Sequence, residues 1–81
     1  MSVEITEYAV SAQDKEKINK AFTYHAPKDD QPARYVELRA SGKELAELMT
    51  AMCPPSLELS LALTNLEQAI MWANAGIARN E

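Results

Sequence analysis

The residues of this sequence that most often perform catalysis are His25 and Cys53, and each is the only one of its type. Neither can form a metal-binding pair with a second histidine or cysteine. Cys53 stands directly before two prolines at the predicted end of a helix, where the helix dipole disfavours a thiolate. We expect Cys53 to be a small buried apolar group and His25 to be a hydrogen-bonding loop residue. We therefore predict a protein that is not an enzyme and has no cofactor or metal.

The stretch from Phe22 to Arg39 combines aromatic rings with positive charges. Its aromatic residues are Phe22, Tyr24 and Tyr35, and its basic residues are Lys28, Arg34 and Arg39. Aromatic faces stack on nucleobases, and guanidinium or ammonium groups bind phosphates, so the stretch suits a nucleotide-like ligand. The alternative is a structural role, with Phe22 and Tyr35 in the core and the basic side chains in solvent. Composition alone favours this alternative.

The charge of the chain excludes some partners. The net charge is −4, and seven of the eight basic residues lie between positions 15 and 43, flanked by acidic segments. Such a short basic region cannot neutralise the many phosphates along a long nucleic acid, although it can bind a small anion. No apolar run reaches the roughly 18 residues of a membrane span, so we predict a cytoplasmic protein with no membrane partner.

The caps, prolines and apolar residues predict an all-α fold. Pro32 suits the first turn of a helix, Pro54-Pro55 end that helix, and Ser56 is a good cap for the next one. The predicted segments of the single domain are an N-terminal extension (1–10), a short helix (11–22) and two long helices (32–53 and 56–79). The long helices have matched lengths of about 33 and 36 Å, so we expect an antiparallel hairpin.

Each long helix carries an apolar seam at the spacing typical of packed helices. The first seam is Tyr35, Leu38, Gly42, Leu45, Met49 and Met52, and the second is Leu59, Leu63, Leu66, Ile70, Ala73 and Ile77. Gly42 indicates a close approach, either of a crossing helix or of a ligand. The second long helix has a further apolar stripe, which consists of Leu57, Leu61, Met71, Ala75 and Ala78. One hairpin cannot cover both stripes, so we predict a homo-oligomer.

Several segments together carry a family resemblance. They include Phe22-Thr-Tyr-His-Ala-Pro-Lys28, Asp30-Gln-Pro-Ala-Arg-Tyr35, Cys53-Pro-Pro-Ser56, Ser60-Leu-Ala-Leu-Thr-Asn-Leu-Glu67 and Met71-Trp-Ala-Asn-Ala75. These segments resemble the hairpin domain of small phage proteins, among them the anti-CBASS and anti-Thoeris sponges. Those sponges capture host immune signalling nucleotides without degrading them. The resemblance spans roughly Phe22 to Asn80 and is most specific in the second long helix.

The resemblance implies a homohexamer that holds cyclic dinucleotides, or related cyclic oligonucleotides, between paired protomers. It implies that Tyr24 stacks on a base and that Arg39, in the place of a lysine, binds phosphate. His25, Lys28, Arg34 and Tyr35 are then expected to line or support the site. The implied setting is the cytoplasm of an infected host cell, where capture of the signal inhibits antiphage defence.

One position departs from the family pattern. Leu57 stands where the resemblance implies an arginine that binds cyclic trinucleotides at a junction of three protomers. Leucine offers neither charge nor hydrogen bond to a phosphate, so we predict weak or absent trinucleotide binding. The alternative function is that of a structural or protein-binding phage accessory protein, with its second apolar stripe against a partner and no nucleotide ligand.

Overall fold

The structure is a computed structural model that describes residues 3–81. It contains three helices, which are α1 (Ala12–Phe22), α2 (Gln31–Met52) and α3 (Leu57–Asn80). No strand occurs in that range, so the predicted all-α class is confirmed. The predicted N-terminal extension has no helix over residues 3–10, and its first two residues lie outside the described range. The helices begin and end within one residue of the predicted positions.

Local hydrogen bonds explain where the helices begin. Ser11 Oγ accepts a hydrogen bond from the backbone N–H of Asp14 at 3.0 Å, and Ser56 Oγ accepts one from Leu59 N–H at 3.1 Å. Each bond satisfies one of the N–H groups that the first turn of a helix leaves without a partner. Between α2 and α3 the chain turns through Pro54-Pro55, which cannot donate the hydrogen bonds of a continued helix. The sequence therefore specifies the end of α2 and the start of α3 locally, whereas α2 begins at a proline-containing first turn without a side-chain capping bond from Asp30.

Helices α2 and α3 pack along each other as an antiparallel pair, because the start of α2 meets the end of α3. The half-buried residues of the predicted seams are Tyr35, Leu38, Gly42 and Met49 on α2, and Leu59, Leu63, Leu66, Ile70 and Ile77 on α3. Leu45, Met52 and Ala73 are exposed instead, and Ala46 and Asn74 are half-buried in the same regions. A straight helix drifts by about 20° per heptad relative to a strict seven-residue repeat, which displaces a seam in this way.

One protomer is too open to be a compact globule. Its radius of gyration is 18.9 Å, whereas a compact chain of this length would have about 12 Å. Its accessible surface is 7009 Å², against about 4,900 Å² for a compact protein of this mass. Within residues 3–81 no apolar side chain is buried. The expectation that Cys53 is buried is wrong for the protomer, since Cys53 is exposed at the tip of the hairpin.

Candidate ligand site

The loop between α1 and α2 presents Tyr24 to solvent. Tyr24 is 84% exposed, and Phe22 is exposed to a similar degree. Phe22 is therefore not a core residue of the protomer, contrary to the structural alternative, whereas Tyr35 is half-buried on α2. An aromatic ring without intramolecular packing has both faces free, which is the property that stacking on a nucleobase requires.

His25 joins this loop to the preceding helix. Its Nε2 lies 2.9 Å from the backbone carbonyl oxygen of Lys20, which is near the end of α1. A carbonyl can only accept, so Nε2 carries the proton and donates it to one of the free carbonyl groups at the helix end. This contact fits the expectation of a hydrogen-bonding loop residue and fixes the backbone directly after Tyr24.

Arg39 lines a groove between the two long helices. The groove has a volume of about 470 Å³, and its walls include Arg39 and Lys43 of α2 and Glu67, Ile70 and Asn74 of α3. Residues four apart on a helix lie on one face, so the two cations stand side by side. Tyr24 is not among the described residues that line the groove. Within one protomer the structure thus leaves the two principal predicted ligand contacts apart.

The groove contains a polar atom that lacks an intramolecular partner. Within the described residues, Asn74 Oδ1 is shielded from solvent and accepts no hydrogen bond. Glu67 is the acid in the groove lining, opposite Arg39 and Lys43. A ligand with phosphate groups would match the two cations, whereas the shielded amide oxygen is not open to a ligand in this conformation. Sequence reasoning missed Asn74, but the position of Lys43 one turn beyond Arg39 was a signal available in the sequence.

Arg34 forms ion pairs with two carboxylates at the open end of the hairpin, where α2 begins and α3 ends. Its guanidinium makes two hydrogen bonds with the carboxylate of Glu81, one of them 2.7 Å from Nη1 to Oε2, and it also lies 3.2 Å from Asp30 Oδ1. The hydrogen bond to Glu81 is the main reason why the pKa of Arg34 is raised above its ordinary value. The same bond, followed by one from Gln31, lowers the pKa of Glu81 from 4.5 to about 2. The arginine and the carboxylate are therefore both charged at neutral pH.

Lys28 lies near the end of the loop between α1 and α2, a few residues after Tyr24. Its backbone N–H donates to Gln31 Oε1 at 3.1 Å, and Gln31 Nε2 donates to Glu81 Oε1 at 3.3 Å. The structure thus brings Lys28 and Arg34 together through Gln31 and Glu81, two residues that sequence reasoning missed. Glu81 is 47 residues from Arg34, and no local pattern could have indicated the pairing.

The outer face of α3 remains uncovered in the protomer. Leu57 is 71% exposed, Leu61 is more than half exposed, and Trp72 is 64% exposed. Met71 is also more than half exposed, and it lines the groove that contains Arg39 as well. The guanidinium carbon of Arg79 lies 5.8 Å from the centre of the Trp72 ring, a distance that allows a cation–π contact. The predicted second stripe is accordingly apolar surface in the protomer, except that Ala75 and Ala78 are half-buried.

Residues 3–81 offer neither a metal-binding cluster nor a membrane-spanning helix. No group of three or more histidine, cysteine, aspartate or glutamate residues among them could hold a metal ion. None of the helices in that part of the chain combines the length and the apolar character needed to span a membrane.

Comparison with known families gives one match. Residues 14–78 match a family model described as Acb2/Tad1, hairpin domain. The matched range contains most of α1, the loop with Tyr24, the whole of α2 and almost all of α3. Neither the comparison with curated proteins nor the comparison with solved structures gave a match.

Proposed function

Because the chain belongs to the Acb2/Tad1 hairpin-domain family, the family of anti-CBASS and anti-Thoeris sponges, we propose that it sequesters host cyclic-oligonucleotide signals without degrading them. Cyclic dinucleotides are the proposed ligands, and inhibition of CBASS-type or related antiphage defence in the cytoplasm of the infected cell is the proposed outcome. The single observation that carries the proposal is the family match, which covers both hairpin helices and the loop between α1 and α2.

The chemistry of the exposed residues supports this ligand class. Tyr24 offers a ring face for a base, and Arg39 offers a guanidinium for phosphate. Lys43 adds a second cation on the same face as Arg39, in the same groove.

A complete site needs more than one protomer in this proposal. Tyr24 does not reach the groove of Arg39 within the described residues of one chain, so we assign the two contacts to neighbouring subunits. The proposed assembly is a homohexamer, and its contacts would cover the outer face of α3 with Leu57, Leu61, Met71 and Trp72. Burial of these side chains would stabilise the assembly by about 25 cal/mol for each Å² of apolar surface removed from water. This free energy would compensate for the small apolar area that a single protomer buries.

A calorimetric panel tests the proposal. Cyclic di-AMP, cyclic di-GMP, a mixed cyclic dinucleotide and cyclic tri-adenylate are titrated separately into the protein. The proposal predicts saturable binding of at least one cyclic dinucleotide. If only cyclic tri-adenylate binds, the proposed ligand class is wrong, and if none of the four compounds binds, the proposed function is wrong.

A second candidate function rests on the exposed apolar face of α3. The face could bind a host or phage protein in a structural or protein-binding accessory role, without a nucleotide ligand. Substitution of Leu61 by glutamate would then abolish capture of that partner, while the panel of cyclic nucleotides would give no binding heat.

A further inference from the structure

Gln31 occupies an unusual position for a polar side chain. It is 3% exposed and is the only buried residue among those the structure describes. A buried amide is costly unless both of its ends are hydrogen-bonded. Here Oε1 accepts from the N–H of Lys28, and Nε2 donates to Glu81. The two partners fix the orientation of the amide, because an N–H can only donate and a carboxylate can only accept.

The bonds of Gln31 close a turn directly before α2. Gln31 N–H donates to the carbonyl oxygen of Lys28 at 3.0 Å, so residues 28 and 31 are joined by two hydrogen bonds. Between them Asp29 has a φ of 52°, in the left-handed region that aspartate tolerates better than most residues. This turn is the point at which the loop with Tyr24 joins the rigid hairpin.

The segment from Tyr24 to Lys28 is therefore held at both ends. The His25 ring holds its start to the end of α1, and the side chain of Gln31 holds Lys28 to the start of α2. The second attachment depends in turn on α3, because Glu81 accepts from Gln31 and is itself held by Arg34.

We infer that Gln31, Arg34 and Glu81 form a latch that positions the Tyr24–Lys28 loop, so that Arg34 serves ligand binding through Glu81 rather than by touching the ligand. The inference rests on the proposed function for its link to nucleotide binding. Its structural part, the order of the turn at Lys28, is independent of any ligand. The positioning residues are Gln31, Arg34 and Glu81, and the ligand contact that they position is Tyr24.

The latch has a clear energetic consequence. A loop that is ordered before binding loses little conformational freedom when the ligand arrives. Without Glu81, the amide of Gln31 loses one partner and the guanidinium of Arg34 loses its main one. The turn at Lys28 then opens more often, and the ligand must order the loop itself.

The test combines amide hydrogen exchange at Lys28 with calorimetry against cyclic di-AMP, cyclic di-GMP and a mixed cyclic dinucleotide. Glu81→Ala should accelerate exchange of the Lys28 amide by roughly tenfold, because its bond to Gln31 is weakened. The same variant should weaken binding of the cyclic dinucleotide by about five- to tenfold. Glu44→Ala is the matched control, since it removes the same charge from an exposed position on α2 and should change neither quantity. Helix content and oligomer size are recorded for every variant.

A double-variant cycle separates positioning by Arg34 from direct contact with the ligand. Arg34→Ala should accelerate Lys28 exchange and weaken binding, but it should weaken binding no further when Glu81→Ala is already present, because Arg34 acts through Glu81. If Arg34→Ala weakens binding as much in the Glu81→Ala background as in the wild type, Arg34 contacts the ligand and the inference is overturned. Unchanged Lys28 exchange in Glu81→Ala would overturn the latch itself. If the wild type binds none of the four compounds of the panel, the proposed function fails, and the exchange result still decides whether the latch exists.

Discussion

Gly42 of α2 lies directly against the side chain of Ile70 of α3. A Cβ atom at position 42 would be 2.8 Å from Ile70 Cγ1 and 3.0 Å from Ile70 Cδ1, both closer than carbon atoms normally pack. The close approach expected at Gly42 is therefore that of a crossing helix. The same glycine also lines the groove that contains Arg39, so the spacing of the helices and the shape of the groove are linked.

Gly42→Ala should destabilise the hairpin by about 1 kcal/mol. Alanine gains about 1 kcal/mol in helix propensity, but overpacking costs roughly 1–3 kcal/mol and the helices must separate or Ile70 must move. The measurement is the free energy of unfolding in denaturant at fixed protein concentration. Gly76→Ala is the control, because no atom lies within 4 Å of its added Cβ, and it should stabilise the protein. If Gly42→Ala and Gly76→Ala raise the free energy of unfolding equally, a methyl group at position 42 does not clash with Ile70 and the prediction is wrong.

The seam prediction shows what could be obtained from the sequence and why. Spacing along one helix depends on local geometry, so Leu63, Leu66 and Ile70 could be assigned to the packed face and they are half-buried. The exposure of Leu45 could not be predicted, because it depends on the register between two helices. Oligomerisation was predicted from the apolar stripe on α3, and it stays a prediction.

The candidate site could be predicted only in part, because contacts between helices depend on how the hairpin closes and not on local sequence. Tyr24 and Arg39 were selected by residue type and family resemblance, and their joint role stays a prediction. The pairing of Arg34 with Glu81 arises only when the hairpin closes, since the two residues are 47 positions apart. Asn74 was missed because an asparagine on an apolar helix has no distinctive local signal until its neighbours are known.

Tyr24 and Arg39 should act on one ligand. Tyr24→Ala should weaken cyclic dinucleotide binding by about 1–3 kcal/mol through loss of stacking. Arg39→Ala should weaken it by roughly 1.5–3 kcal/mol through loss of charge-assisted hydrogen bonds. Tyr24→Phe is the control and should retain the stacking part of the affinity. Calorimetry is the measurement, and wild-type affinity in both alanine variants would show that the site is elsewhere.

Leu61→Glu should disrupt the homo-oligomer. A carboxylate placed in an apolar interface without a partner costs several kcal/mol, so sedimentation at micromolar concentration should show smaller particles. Ala40→Glu is the control: it adds the same charge at an exposed position of α2, about 200° around that helix from the packed Leu38, and it should leave the assembly intact. A wild type that sediments as a 9.0 kDa monomer would contradict both the hexamer and the shared site.

Leu57 should exclude cyclic trinucleotides. The side chain is exposed at the start of α3 and offers no charge to a phosphate. Titration of cyclic tri-adenylate should give weak or no binding to the wild type and stronger binding to Leu57→Arg. Leu57→Met, which changes shape without adding charge, should behave as the wild type does. Tight binding by the wild type would refute this prediction and would mean that neighbouring hydroxyl groups, such as those of Ser60 or Thr64, hold the phosphate instead.

The ion pair at the open end of the hairpin should be sensitive to acid. Hydrogen bonds from Arg34 and then Gln31 lower the pKa of Glu81 from 4.5 to about 2. Since the folded-state pKa is depressed, the stabilisation is complete above the unfolded-state pKa and is lost as the pH falls through the folded-state pKa. The difference in the free energy of unfolding between wild type and Glu81→Gln should therefore shrink from about pH 5 to about pH 2. A difference that does not depend on pH would mean that the pair contributes nothing.

Retention and release of an intact ligand test the central claim most directly. A labelled cyclic dinucleotide that binds in the panel is incubated with an excess of protein, and the mixture is passed through a membrane that retains only protein. The account predicts that the label stays with the protein and that denaturation then releases it as unchanged cyclic dinucleotide, identified by mass spectrometry. Label that passes the membrane untouched, or that is recovered as a linear or cleaved product, would contradict sequestration without degradation.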